Sequence, residues 1–345
     1  MSNADIHSPF GQAGLSPRQY LDAFLDVVEK NSIRGSDLIY PQYSKPKIDW
    51  DAYRTAITEQ FDKESPQTIE EVVPILKDAL ELLGDGHSFW SGFENYDEET
   101  KLTPHPVPYG KLIRGDIGYL HLPRETPDSP EHARVLSHTL RAELERLDAR
   151  SLKGWVIDLR SHTGGGIFGS LSALLPLIKD YGVTGHFVPV ERDSWNVSLE
   201  NFHKEFEHDD YALRNRRVPI AVLQGDYTCS AGEAMAISFR GLPHAKSFGT
   251  ESAGMTTGNS AFEMPDGQVV ALATCVMADR TGHVYGGKIT PDYLIPSTAK
   301  PVFHDSEEFY GFNNAYDIAS DHTFMGATQW CRQQGRRSII NEPVI

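Results

Sequence analysis

Three short segments carry residue types that can do chemistry. The first is Asp226-Tyr-Thr-Cys-Ser-Ala-Gly-Glu233, where an apolar run gives way to small and polar residues and then to a helical pattern. A serine in the first turn of a helix ordinarily caps it. The same position suits a nucleophile, because the helix N-terminus stabilises a developing oxyanion. That points to Ser230, with Cys229 as the rival nucleophile one position away; a cysteine there ordinarily serves as a small core residue. The second segment is Asp158-Leu-Arg-Ser-His-Thr-Gly-Gly-Gly166. Its glycines let the backbone approach a ligand, and the helix that follows turns its positive end to the same place. This is an anion or oxyanion cradle, or else simply a tight strand-to-helix turn. It is neither G-x-G-x-x-G nor a P-loop. The third is Leu83-Gly-Asp-Gly-His-Ser88, which offers His87 as a general base in a glycine-flanked loop. As one of 14 histidines it can equally be a surface residue after a helix cap.

The elements that must position these segments follow from periodicity. Residues 17–30, 48–63 and 68–83 place apolar side chains at helical spacing, with Thr68 and Glu71 as a capping box and Gly84 as the stop. Residues 1–95 therefore read as a small helical N-terminal domain. Residues 96–117, with Pro104, Pro106, Pro108 and Gly110, read as a linker, although a short strand starts at Gly118. Beyond it, strands at 118–122, 154–159 and 219–223 alternate with helices at 129–147, 168–178 and 231–240. This predicts an α/β core over residues 118–300. Asp266-Gly267 marks a hairpin turn, and residues 301–345 read as a C-terminal helix and tail.

Composition narrows the function classes. The chain has 345 residues, 39% hydrophobic and 23% charged, with a net charge of −16. That charge repels phosphate backbones and anionic surfaces, so neither nucleic acid nor membrane is an expected partner. The most apolar stretch, 171–178, is interrupted by Pro176, so no transmembrane helix is expected. Three widely spaced cysteines, Cys229, Cys275 and Cys331, make neither a disulfide framework nor a zinc pattern. The first residues have no basic start and no apolar stretch, which predicts a cytoplasmic chain as written, or a secreted or periplasmic one if the N-terminus was trimmed.

Taken together the motifs resemble the serine peptidases of the C-terminal-processing protease and tricorn core family. The pieces stand in that family's order: Asp85-Gly86-His87-Ser88, then Asp158-Leu159-Arg160-Ser161-His162-Thr163-Gly164-Gly165, then Thr228-Cys229-Ser230-Ala231-Gly232-Glu233. Gly249-Thr250-Glu251-Ser252-Ala253-Gly254, Pro265-Asp266-Gly267 and Gly287-Lys288-Ile289-Thr290-Pro291-Asp292 follow. The resemblance covers roughly residues 65–296. It implies a ClpP/crotonase-like β-α core, Ser230 as nucleophile, and an oxyanion hole from the N–H of Ala231 and of Gly164 or Gly165. It implies no metal or cofactor. The C-terminal-processing branch uses a lysine base after the Ser/Thr turn, but here that triplet is Gly254-Met255-Thr256, and a Met cannot take a proton. The tricorn-like branch uses a histidine from the N-terminal side, a role that His87 matches. That branch also has an acid shortly before the Pro-Asp element. Here the stretch is His283-Val-Tyr-Gly-Gly287, without a carboxylate, so the group that orients the base is open and Tyr285 is a candidate donor. His162 replaces the family's usual Asn and is the second candidate base. The stretch between His87 and Gly118 is too short for an inserted PDZ module.

The expected activity is a serine peptidase acting on peptides or proteins. Two rivals stand beside it: an inactive binder of peptides or apolar ligands on the same core, and a CoA-ester enzyme of the crotonase type. The latter needs acid/base carboxylates near the glycine turn, and the turn itself has none.

Overall fold

The computed structural model describes residues 14–35, 47–93, 107–125, 130–178, 185–189, 195–196, 206, 208–296 and 321–340. The chain forms two compact units. One takes in Met1–Leu102, Phe187–Trp195 and Thr257–Val276; the other takes in Thr103–His186, Asn196–Thr256 and Met277–Ile345.

The first unit contains α1 (Pro17–Asn31), α2 (Trp50–Glu64) and α3 (Ile69–Leu83). Each helix starts on a capping side chain: Ser16, Asp49 and Thr68 accept the N–H of Gln19, Ala52 and Glu71. Gly84 ends α3 in the left-handed conformation, φ +64°. The helical pattern of the sequence is thus realised within one or two residues at each end. The unit is more than its helices, however. Tyr20, Phe24 and Val28 of α1 and Ile75, Leu76 and Leu83 of α3 share a core with Met264, Val270 and Leu272 from much later in the chain. Val270 and Leu272 lie on β10 (Gln268–Asp279) and Met264 in the turn that joins it to β9 (Thr257–Glu263); this antiparallel hairpin joins β1 (Phe89–Phe93) in a sheet with β5 (Gly185–Pro189) and β6 (Trp195–Asn196). Val270 and Leu272, two apart, fall on one face of the strand and supply the sheet's side of that core. The Asp266-Gly267 turn closes the hairpin, with Gly267 at φ +85° and Asp266 Oδ1 accepting the Tyr20 hydroxyl at 2.8 Å.

The second unit is a six-stranded sheet in the order β11-β8-β7-β4-β3-β2. Its members are β2 (Tyr109–Ile113), β3 (Ile117–His121), β4 (Gly154–Asp158), β7 (Ile220–Gln224), β8 (Ala245–Gly249) and β11 (Tyr293–Leu294). Only β2 is antiparallel to its neighbour. The central strands β3, β4 and β7 are buried along their whole length, which is why Trp-Val-Ile and Ile-Ala-Val-Leu read as unbroken apolar runs. Helix α4 (Pro130–Asp148) packs on β2, β3 and α5 (Phe168–Ile178). Helix α7 (His322–Ile340) lays Phe324, Ala327 and Cys331 on Ile117, Val156, Ala221 and Leu223. Together with α6 (Ala231–Ser238), this is the mixed α/β class expected from the alternation of strands and helices.

One reading is corrected. Part of the stretch taken as a linker is strand β2, hydrogen-bonded along β3 from Tyr109 opposite His121 to Ile113 opposite Ile117. Its prolines and glycine hid it, because an edge strand tolerates both. The rest of that linker, residues 96–106, lies outside the described residues, as do residues 301–320 and 341–345 of the expected C-terminal segment.

Candidate active site

Two turns at the carboxyl ends of adjacent parallel strands lie side by side in the second unit, where open α/β sheets place ligands. One follows β4 and the other follows β7. They are laced together by backbone and side-chain bonds. The Thr228 hydroxyl donates to Leu159 O at 2.9 Å, and the Cys229 N–H donates to His162 O at 3.0 Å. Gly232 allows this approach, since a Cβ there would sit 2.4 Å from His162 O.

Ser230 stands at the head of α6 with φ +49° and ψ −110°. This is the mirror-image turn region that glycine occupies without strain and other residues occupy at a cost of about 1–3 kcal/mol. A strained serine on a sharp strand-to-helix turn is the geometry that lifts a nucleophile out of the backbone. Glu233 holds it there. Its buried carboxylate accepts the Ser230 N–H at 2.9 Å, the Ser252 hydroxyl at 2.5 Å and the Gly254 N–H at 2.8 Å. Burial raises the Glu233 pKa, and these donors pull against that shift. Glu233 was visible in the sequence only as the last residue of a motif, although its spacing from Ser230 is that of a capping box. Ala231, the first helical residue, has no hydrogen-bond partner for its N–H among the described residues.

The glycine turn sits against this serine. A Cβ on Gly164 would lie 3.2 Å from Ser230 Cβ and 3.8 Å from Ser230 Oγ. Gly164 and Gly165 have φ of +108° and +101°. The turn is shaped around Glu125, which forms an isolated β-bridge with Gly165 and whose carbonyl accepts the Gly166 N–H at 2.8 Å. The Glu125 carboxylate accepts the N–H of Gly169 and Ser170 at 3.3 and 3.0 Å, capping α5. The sequence showed no carboxylate near this turn; the fold delivers one from a separate loop. Burial raises its pKa, and its oxygens are already taken up by α5, so it caps the helix rather than offering a free acid/base pair.

His162 is fully buried. Its Nδ1 accepts the Gly164 N–H at 3.4 Å, and burial pushes its pKa down to about 3. The ring is a prop for the glycine turn. Cys229, the rival nucleophile, has its thiol pushed up to about 11 by burial and by nearby Glu233, far from the reactive thiolate. Its Sγ lies 3.2 Å from Met255 Sδ, so the residue in place of the family's lysine makes a sulfur–sulfur contact. Tyr285, the candidate orienting group, donates its hydroxyl to Asp279 Oδ2 at 2.9 Å and is tied up in that loop. A second Ser–His pair, Ser161 with His121 Nε2 at 2.7 Å, is buried on both sides and packs the end of β3 against the turn after β4. Arg160 forks between Asp158 and Asp321 at 2.7 and 2.6 Å, fastening the start of α7 to the end of β4.

His87 belongs to the first unit. Its N–H donates to Asp85 Oδ1 at 2.8 Å, its carbonyl accepts from Asn259 Nδ2 at 2.8 Å, and its ring Nδ1 lies 2.6 Å from Thr257 Oγ1. Burial lowers its pKa below the usual 6.5, against the pull of Asp85. Neither Thr257 nor Asn259 stood out in the sequence. Among the described residues no three His, Cys, Asp or Glu side chains cluster so as to hold a metal ion, and no described helix is long and apolar enough to cross a membrane.

Comparison with known proteins places this geometry in a family. The nisin-resistance protein of Lactococcus lactis subsp. lactis is 28% identical over 227 residues, 64% of this chain and 69% of that protein. The carboxy-terminal processing protease CtpA of Bacillus subtilis (strain 168) is 25% identical over 227 residues, 64% of this chain and 44% of that protein, so the match spans less than half of its length. The solved structure of a lipoprotein from Streptococcus agalactiae superposes with a TM-score of 0.72 at 22% identity, covering 95% of this chain and 100% of that one; it shares the fold. The profile of peptidase family S41 matches residues 116–295, more than half of the chain and the whole span from β3 to β11. The chain belongs to peptidase family S41, the family of the C-terminal processing proteases.

Proposed function

We propose that this S41 member is an active serine peptidase in which Ser230 attacks the peptide carbonyl and His87, not a lysine, takes its proton. The observation that carries the reading is the backbone of Ser230, held in a strained turn at a helix N-terminus by the carboxylate of Glu233. Such strain is kept where a site needs it. The tetrahedral oxyanion would meet the N–H of Ala231 and that of Gly165. Gly165 is preferred over Gly164, whose N–H is turned to His162 Nδ1. A neutral His87 can accept the Ser230 proton and return it to the leaving amine. Met255 removes the lysine route, which supports the tricorn-like branch over the C-terminal-processing one. No step calls on a metal or cofactor. The unit built on the six-stranded sheet would be the catalytic core and the helical segment the donor of the base.

The relatives are named for nisin resistance and for carboxy-terminal processing. Nisin and a panel of unstructured peptides are therefore the substrates to try first. The decisive experiment is labelling with a fluorophosphonate probe, which reacts only with an activated serine. Wild type is expected to label at Ser230, and Ser230→Ala to lose both labelling and hydrolysis with an unchanged circular dichroism spectrum. Absence of labelling in the wild type would favour an inactive binder on the same core.

A further inference from the structure

We propose that Thr257 is the positioning residue of the base: its hydroxyl accepts the Nδ1–H of His87 and so fixes the tautomer that leaves Nε2 free to receive a proton. The inference rests on the reading of His87 as the base, and supplies the orienting group that the sequence lacks.

The ring of His87 hydrogen-bonds Thr257 Oγ1 at 2.6 Å, its one hydrogen-bond partner among the described residues. The nearest acid, Asp85, does not serve that nitrogen. Its Oδ1 accepts the N–H of both His87 and Ser88, at 2.8 and 2.7 Å, and its Oδ2 accepts the Ser88 hydroxyl at 2.6 Å. Asp85 therefore shapes the loop, and reaches the ring only through its field. Ser88 in turn accepts the Ala273 N–H at 2.9 Å, which ties the loop to β10. Thr257 is fixed as firmly from its own side. It opens β9 opposite Val276 and is buried, and its branched Cβ restricts the side chain to few rotamers. The loop, the strand and the hydroxyl thus hold the imidazole at three points: backbone N–H, backbone C=O and Nδ1.

A neutral imidazole carries one proton, on one nitrogen or the other. With the proton on Nδ1 and pointing at Oγ1, Nε2 keeps its lone pair and can act as a base. With the reverse arrangement Nε2 carries the proton and cannot. When Nε2 takes the serine proton, the Nδ1 proton stays where it is, because an alcohol is far too weak a base to remove it. Thr257 therefore does one half of what a triad carboxylate does. It sets orientation and tautomer, but it brings no charge to stabilise the imidazolium.

The test uses the full-length protein and needs no natural substrate. Nitrogen-15 spectra of the histidine-labelled wild type, above the His87 transition, are expected to show a pyridine-like Nε2 and a pyrrole-like Nδ1. The rate of fluorophosphonate labelling is then compared among variants. Thr257→Val should slow it by roughly 10²-fold, and Thr257→Ser should restore it to within about fivefold. A pyrrole-like Nε2 in the wild type overturns the proposal on its own, even if the valine variant fails to fold. So does labelling of Thr257→Val within about threefold of wild type while His87→Ala loses its reactivity. Wild-type labelling of His87→Ala would sink the base reading itself, and the role of Thr257 with it.

Discussion

Replacing Glu233 by glutamine tests the clamp on the Ser230 turn most directly, because the change is nearly isosteric and the partners are known. The carboxylate receives Ser252 Oγ–H and Gly254 N–H on Oε1 and Ser230 N–H on Oε2, and the Met255 N–H adds to their pull. An amide can keep one oxygen. If that oxygen stays with Ser252 and Gly254, the Ser230 N–H faces an NH₂ group and is left without an acceptor, at a cost of about 1–3 kcal/mol. The two surviving bonds lose their ionic character, about 1 kcal/mol each. Part of this is recovered, since burial already disfavours the charged form, as the raised pKa shows. The net expectation is a loss of about 2–3 kcal/mol in urea unfolding at unchanged slope, well beyond an ordinary surface substitution. Fluorophosphonate labelling should fall at least about tenfold, because the Ser230 backbone is no longer held. A variant within about 0.5 kcal/mol of wild type that labels normally would refute the argument that this carboxylate holds the turn.

Four further outcomes are expected. Met255→Leu should keep labelling within about tenfold and stability within about 1.5 kcal/mol, because the side chain only packs against Cys229 and the swap conserves volume; a larger loss at normal stability would reveal a role in the reaction. The labelling rate should rise with pH and level off, with a midpoint below 6.5, since a cationic His87 cannot accept a proton and burial lowers its pKa; a midpoint above about 7 would point to another base. Gly165→Ala should cost roughly 2–5 kcal/mol, because φ is +101° and the new Cβ would fall 1.8 Å from Glu125 O. Gly267→Ala, also at positive φ but with open space around it, should cost only about 1–2 kcal/mol in the same urea titration.

Much of the fold is legible in the sequence, because its signals are local. The buried strands announce themselves as apolar runs, and the helices by cap side chains that accept an N–H three residues on. What escapes is non-local. Nothing in residues 14–93 says that their core is completed by Val270 and Leu272. Of the site, the strained serine and the glycine turn are readable from motif order. Thr257 is not, since it sits 170 residues from His87 and is one threonine in a strand. Glu125 escapes for the same reason: it acts on the N-terminus of α5 from 44 residues upstream. Tyr285 stands out only by its place beside a motif, and the fold gives its hydroxyl to Asp279.

The backbone of Ser230 also bears on how such a site evolves. Glycine is the residue that this φ and ψ suit best, and a single codon step often separates it from serine. If Ser230 is the nucleophile proposed above, a lineage that no longer needed the reaction would gain stability by the very substitution that ends it, with the rest of the core undisturbed. The pull is on the order of 1–3 kcal/mol, a sizeable share of the 5–15 kcal/mol that separates folded from unfolded chains. Drift would run downhill into inactivity at this position. A serine that still stands there is held against that slope, and selection for its hydroxyl is the simplest force that would hold it.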